Sequence, residues 1–501
     1  MFGGGSFAFL RFDLGSLGRV DFGGLGLLAG VVWPWGGGRR VAGLAAVVAV
    51  VAVFGGAVVP AASASAACVD EVATVEVALA TAEACDAQVE VSSMRSETLL
   101  AFANPDETMT AVMSPVPVRT LQGSEWVDID TTLGRSGDGT VSPVATTQDL
   151  TLSGGGSGPL LTLGEPGRRI ALTWSAGLPA PVLSGDLATY PEVFPGVDLQ
   201  VRVGGSWYQQ LFVVKSPEAA ANPALASLSF DVATEGVTLR EQSDGAIEAV
   251  GAAGEVVFAA AAPSMWASPD SLGVEVAARS GEWSPALLDA LVGAAAVDEP
   301  AEPAEPHRVR MDAEVSESRL TVVPVQEVLR SPDTVFPVYI DPNFAYPSPA
   351  YWTNVMDDNP THSYFNEHDE LKVGRQWKTS NVWRTHMQFH NFAVMAGSTI
   401  LSADFKVTAD HTADCAGTDI QLWETEHISH FYQYTWNTAA NGWLKYLDTK
   451  HFDANEASCP KGDDDNVFGG ALKSAVQARV SAGATAMTFG MRAASESDYY
   501  Q

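Results

Sequence analysis

The clearest hydrophobic pattern in the chain lies in residues 383–415. Trp383, Thr385, Met387 and Phe389 alternate with Arg384, His386, Gln388 and His390. After a break at Ala396, Gly397 and Ser398, a second run follows. Leu401, Ala403, Phe405 and Val407 alternate there with Ser402, Asp404, Lys406 and Thr408. A side-chain period of two over such a length predicts half-buried antiparallel strands, because successive Cβ atoms point to opposite faces of a sheet. A sheet with one apolar face needs a second layer over it, so this stretch anchors a β-sandwich. His386 and His390 would suit a metal ion on a helix. On a strand they stand about 13 Å apart at ~3.3 Å per residue, so they read as solvent-face histidines.

Short strands recur upstream, most clearly at 98–102, 116–120, 126–129, 171–174, 198–203, 210–214 and 237–239. Turn signals separate them: Asn104-Pro105-Asp106, Ser136-Gly137-Asp138-Gly139, residues 153–158, and Ser243-Asp244-Gly245. Further strands are expected at 308–313, 319–324 and 335–340. Leu472, Val476 and Val480 recur every four residues, which predicts a short amphipathic helix before a strand at 485–491. Residues 298–306, DEPAEPAEP, form an acidic Pro-rich spacer that suits neither a strand ladder nor a packed helix. The expected class is all-β, with two β-sandwich (jelly-roll-like) domains after a signal peptide and a short Ala-rich helix. The expected boundaries are a leader and signal peptide at 1–66 and an Ala-rich helical segment at 67–89. A β-rich domain at 90–297, a linker at 298–307, connecting strands at 308–345 and a second sandwich at 346–501 follow.

Residues 41–59 are an uncharged apolar run directly after Arg39-Arg40, and 61–67 offer Ala-x-Ala exits ending at Ala64 or Ala66. This is the layout of a secretory signal peptide. Cleavage is favoured over a retained anchor, although the uncut run is long enough to span a bilayer. Lipid attachment at Cys68 is disfavoured, because no large aliphatic residue stands three positions before it. Residues 1–38, rich in Gly and Phe, make a poor leader, and a start codon downstream of Met1 is expected. The location implied is secreted, with cell-surface association as a variant.

The chain has 501 residues, enough for more than one core. With 28 Lys and Arg against 60 Asp and Glu the net charge is −32, which argues against nucleic acid as a partner. There are four cysteines, an even count that suggests disulfides in an exported chain. Cys415 with Cys459 is the favoured pair, closing a long loop worth about 3–4 kcal/mol. A continuous helix would hold Cys68 and Cys85 about 25 Å apart. Those two can bond only if that helix is broken.

Motifs for nucleophilic, nucleotide-dependent or zinc chemistry are missing: there is no Gly-x-Ser-x-Gly, Walker loop, His-Glu-x-x-His or dinucleotide fingerprint. No catalytic residue is assigned. Asp463, Asp464 and Asp465, followed by Asn466, could offer oxygen ligands to calcium, but they lack EF-hand spacing. A solvated acidic turn is the preferred reading, and no cofactor is otherwise expected. Aromatic residues are the better lead, since sugar rings present apolar C–H faces to aromatic planes. Trp352, Trp377, Tyr364 and Trp423 are the glycan-binding candidates, weighed against core packing, the commoner use of aromatics. Trp383 shares a face with Met387 and Phe389 and is assigned to the core.

Several phrases carry a family resemblance. In the first half they are Arg95-Ser96-Glu97-Thr98, Asn104-Pro105-Asp106-Glu107-Thr108, Trp126-Val127-Asp128-Ile129-Asp130 and Tyr190-Pro191-Glu192-Val193-Phe194-Pro195-Gly196. Later come Leu371-Lys372-Val373-Gly374, Ile400-Leu401-Ser402-Ala403-Asp404-Phe405, Ile420-Gln421-Leu422-Trp423 and Phe489-Gly490-Met491-Arg492-Ala493. Together they resemble large secreted actinobacterial proteins in which such a region precedes a DNRLRE-type β-sandwich, a group overlapping carbohydrate-binding module family 96. That family has Gly where Glu107 stands, and continues with a Trp-rich strand beyond the position of Gln501, so a longer parent protein is expected. The resemblance implies architecture, not chemistry; the expected function is a non-enzymatic glycan- or surface-binding stalk, with polysaccharide or cell-wall glycan and further domains of the same polypeptide as partners. Membrane contact would come only through an uncleaved signal segment. The alternatives are the structural N-terminal region of an RHS-type toxin without a ligand of its own, and a polysaccharide-acting hydrolase.

Overall fold

The alternating patterns are realised as strands: half of the described residues are strand, 50% against 13% helix, arranged in several antiparallel sheets. The computed structural model describes residues 8–14, 68–242, 245–260, 262–267, 309–316, 318–341, 351–365, 371–375, 381–409, 412, 416–428, 434–454 and 464–497. The expected signal peptide, the spacer at 298–306, Ser243-Asp244, Trp377, Cys415, Cys459 and Asp463 lie outside these residues.

One sandwich is assembled from both ends of the chain. Its first strands are β1 (Ala8–Leu14), β2 (Glu71–Val72), β3 (Val89–Val91), β4 (Leu99–Ala103) and β5 (Met109–Met113), with helix α1 (Val75–Cys85) between β2 and β3. After a long interruption come β6 (Tyr351–Met356), β7 (Tyr364–Phe365), β8 (Gly374–Arg375), β9 (Val382–Phe389), β10 (Ile400–Ala409) and β11 (Thr418–Thr425). Helix α2 (Trp436–Ala439), β12 (Trp443–Phe452), β13 (Asp464–Phe468), helix α3 (Leu472–Ser481) and β14 (Met487–Ala493) complete it. One sheet runs β2-β3-β4-β5-β1-β10-β13. The other runs β7-β6-β9-β14-β11-β12, with β8 also on β9.

Their apolar faces meet in a single core. Phe389 of β9 lies 5.8 Å from Phe405 of β10, and Phe489 of β14 lies 5.2 Å from the same ring. The two most strongly alternating strands, adjacent in sequence, therefore belong to opposite layers. The 3-10 turn Phe392–Met395 carries the chain across, with both of its end residues buried. In β10 the alternation slips at its start: Ile400 is buried and Leu401 is 43% exposed. The register against β1 shifts at the same point, between Asp13 and Leu14. A bulge there reverses the faces of the residues before it, which corrects the expected inward placement of Leu401. Helix α3 buries Leu472, Val476 and Val480 as their spacing predicts, and Gln477 Oε1 accepts from the Ile400 amide at 2.8 Å.

The interruption folds as a second sandwich with its own core. An eight-stranded sheet includes Arg169–Trp174, Leu228–Glu235 and Arg319–Val323, and a seven-stranded sheet includes Val197–Val203, Tyr208–Val214 and Val338–Asp341. Trp174 of the first sheet packs 5.2 Å from Phe212 of the second and 5.2 Å from Phe230 of its own.

The expected boundaries therefore change. The strands after residue 308 are not connectors: Val338–Asp341 pairs with both Tyr208–Val214 and Ser264–Ala267 inside the second core. The strands between 89 and 113 pair within the sandwich that also holds residues 351–497, not with the strands that follow them. Residues 8–14, expected in a leader, form a central strand of that sandwich. The Ala-rich helix starts only at Val75, where the Thr74 side chain accepts from the Val77 amide. Residues 68–74 precede it in non-helical conformation, and Cys68 meets Cys85 in a disulfide with Cα atoms 5.7 Å apart. Glu107 takes the left-handed conformation, φ 63°, a region that favours glycine.

Candidate functional site

The second sheet of the end-joined sandwich turns its other face away from the core, and alternation decides what stands there. β9 presents Arg384, His386 and Gln388; β14 presents Thr488, Gly490 and Arg492. β11 contributes Gln421, Trp423 and Thr425, with Trp443 and Tyr446 from β12. The cross-strand row His386, Gly490, Trp423, Tyr446 runs over four neighbouring strands. Gly490 is required by close approach: a Cβ there would meet Thr425 Cγ2 at 2.7 Å and Trp443 Cζ3 at 2.9 Å.

Cations and tryptophans interleave across this face. The Arg384 guanidinium lies 4.0 Å from the Trp436 ring centre and 5.5 Å from that of Trp443. Arg492 lies 4.9 Å from Trp443 and 4.4 Å from Trp423. The order Trp436, Arg384, Trp443, Arg492, Trp423 is a cation–π ladder, each contact worth about 0.5–2 kcal/mol depending on exposure. Glu496 fixes Arg384 through two hydrogen bonds of 2.6 and 2.7 Å. Gln421 Oε1 accepts from both Trp423 Nε1, at 3.0 Å, and Arg492 Nε, at 3.3 Å. At the end of the ladder Trp423 is half-buried and meets Tyr446 edge-on at 5.5 Å. Tyr446 is 44% exposed, and its hydroxyl lies 2.8 Å from Thr449 Oγ1.

Part of the face is covered. Tyr434 and α2 fold over β6 and β9, with Val355, Ile428 and Ala439 in a small core of their own. His386 is 0% exposed, which overturns its expected solvent-face placement. Its ring lies between Tyr434 and Trp443, 5.1 Å from each, and its Nδ1 is 3.1 Å from the Tyr434 hydroxyl. Burial, with nearby Arg384 adding to it, pushes the imidazole pKa down to about 3, so the ring is neutral. Beside it Gln388 Oε1 accepts from the Ile428 amide at 3.0 Å and from Thr488 Oγ1 at 2.8 Å. His386 Nε2, Trp443 Nε1 and Thr425 Oγ1 are buried without a hydrogen-bond partner among the described residues.

No protein-family model and no curated protein matches the chain. The likeness to DNRLRE-type modules rests on the sequence phrases alone.

The candidates named from sequence separate. Trp423 stands in the ladder. Trp352 is 6% exposed in the core opposite, and Tyr364 is 1% exposed against Trp383, with ring centres 5.0 Å apart. Neither presents a surface to a sugar, so both are corrected to core residues. Trp377 lies outside the described residues. Asp464 and Asp465 belong to β13, not to a turn, and pair with β10. The Asp465 carboxylate engages Lys406 Nζ at 2.8 Å and accepts from Thr408 Oγ1 at 2.6 Å. Among the described residues no three His, Cys, Asp or Glu side chains converge on a metal-sized site. Sequence reasoning assigned no role to Arg384, Arg492 or Tyr446. The signal for the first existed, since Arg384 alternates with core residues in β9. Its stacking partners come from α2 and β12, about fifty residues away.

Proposed function

We propose that the chain is an exported, non-enzymatic β-sandwich protein whose end-joined sandwich binds polysaccharide or cell-wall glycan through the Trp423–Tyr446 end of the ladder. The carrying observation is the aromatic pair itself, one ring half-buried and the other exposed, with Trp423 held by Arg492 and Gln421 on the same face of the sheet. Rigid aromatic surface beside polar hydrogen-bonding groups is what recognition of a sugar ring needs. Export is supported by the leader pattern at 41–66. Among the described residues no helix is long and apolar enough to cross a membrane.

A second reading is a stalk without a ligand, of the kind found before RHS-type toxin segments. It is favoured by the guanidinium groups over Trp443, which make that ring a bracing element. Pull-down on a panel of insoluble and soluble polysaccharides tests the two. The expected result is retention of the wild type, reduced about five- to tenfold in Tyr446→Ala, as for loss of one stacking contact of ~1–1.5 kcal/mol. Retention on no polymer would leave the stalk. Release of sugar products from that panel would instead support a hydrolase.

A further inference from the structure

Strand β1 is separated by residues 15–67 from the next described residue, yet it stands in the middle of a seven-stranded sheet. It pairs along one side with β5, from Leu10↔Met113 to Leu14↔Met109. Along the other it pairs with β10, from Ala8↔Val407 to Asp13↔Ser402. In the sheet order β5 and β10 are neighbours only through it.

The two walls read β1 residue by residue. Phe12 is fully buried and has the small residues Ala111 and Ala403 as its cross-strand partners, so its ring has room to reach Phe392, at 5.8 Å edge-on. Leu10 lies between Met113 and Phe405 in the register. The Asp13 carboxylate accepts one hydrogen bond from each wall, Thr110 Oγ1 of β5 and Ser402 Oγ of β10, both at 2.8 Å. Arg11, between these, is exposed. A backbone ladder supplies affinity and alternate side chains supply selection, which is how an added strand is recognised. All of these determinants lie within five residues, so they travel with the segment and not with its covalent connection.

We infer that the gap between β5 and β10 is a strand-acceptor site for an extended antiparallel segment donated by another polypeptide. The donor carries large apolar side chains at three alternate positions and a carboxylate between the last two. In the exported form proposed above, cleavage after Ala64 or Ala66 would remove β1 and open the site to such a donor. That use rests on the export reading; the acceptor chemistry does not.

The test uses the full chain with a site-specific protease site placed within residues 15–67 and cut after folding. A labelled synthetic peptide spanning residues 6–16 is then added in excess. The expected result is that the peptide exchanges with the cut segment and co-elutes with the protein. Binding falls about tenfold for the Asp13→Ala peptide, as for loss of charge-assisted hydrogen bonds, and a scrambled peptide is not retained. In the conservative Thr110→Val, Ser402→Ala protein the parent and Asp13→Ala peptides bind alike. The inference is overturned if the parent peptide is not retained, if the scrambled peptide is retained equally, or if the wall variant still prefers Asp13. None of these readouts depends on whether the leader is cleaved in the cell.

Discussion

His386 shows how one position can be placed on the right face of a strand and still be misread. Its alternation with Thr385 and Met387 puts it opposite the core, and the covering segment around Tyr434 then removes it from water. Its folded pKa of about 3 lies below the usual value near 6.5. Between those two values the unfolded chain binds the proton and the folded chain does not. The stability contributed is therefore fully present above about pH 6.5 and is lost as pH falls toward 3, at up to ~1.4 kcal/mol per pH unit. His390 is shifted in the same direction by burial, with His427 adding to it. Melting temperature followed from pH 7 to pH 4 is expected to fall, and to fall less steeply in His386→Gln. Equal slopes in the two proteins would show that the ring titrates normally.

At the scale of elements, the period of two fixes where a strand lies and leaves its faces open wherever a bulge intervenes. Leu401 and Phe405 look equivalent in the alternating run, but the shift between Asp13 and Leu14 turns the first to solvent while the second stays fully buried. Chemical denaturation is expected to separate them. Leu401→Ser should change stability by less than about 0.5 kcal/mol, and Phe405→Ala should cost about 3–5 kcal/mol. Comparable losses from both would mean that β10 keeps an uninterrupted register. Helix α3 is the simpler case: its i, i+4 spacing needs no partner to be read, and the structure places all three residues inside. Helix α1 is intermediate. Its Ala-rich run is legible, but the extended approach from Cys68 that allows the disulfide is not a property of the run.

For the whole molecule, the described residues form two principal cores that share no residue, one built from positions 133–340 and the other from 10–14, 78–113 and 352–493. Such a division predicts two unfolding transitions. Phe405→Ala should lower one of them, and Phe230→Ala, in the inner core, should lower the other, as read by calorimetry. A single transition lowered by either change would show that the cores unfold as one. The ladder of Trp436, Arg384, Trp443, Arg492 and Trp423 is likewise a property of the assembled sandwich. It draws on α2 and four strands, and no short window of sequence contains it.

The sequence by itself determined the all-β class, the position of strands such as 171–174, 198–203, 210–214 and 319–324, the turn at Asn104-Pro105-Asp106 and the buried stripe of α3. Each of these depends on side chains within a few residues of one another, where periodicity and turn chemistry act directly. Only the tertiary structure decided that β9 and β10 lie in opposite layers, that the strands before residue 113 pair within the C-terminal sandwich, and that residues 8–14 stand between β5 and β10. The physical reason is that the backbone ladder is chemically the same for every strand. Partner choice rests on side-chain fits such as Phe12 between Ala111 and Ala403, whose members lie from about one hundred to nearly four hundred residues apart.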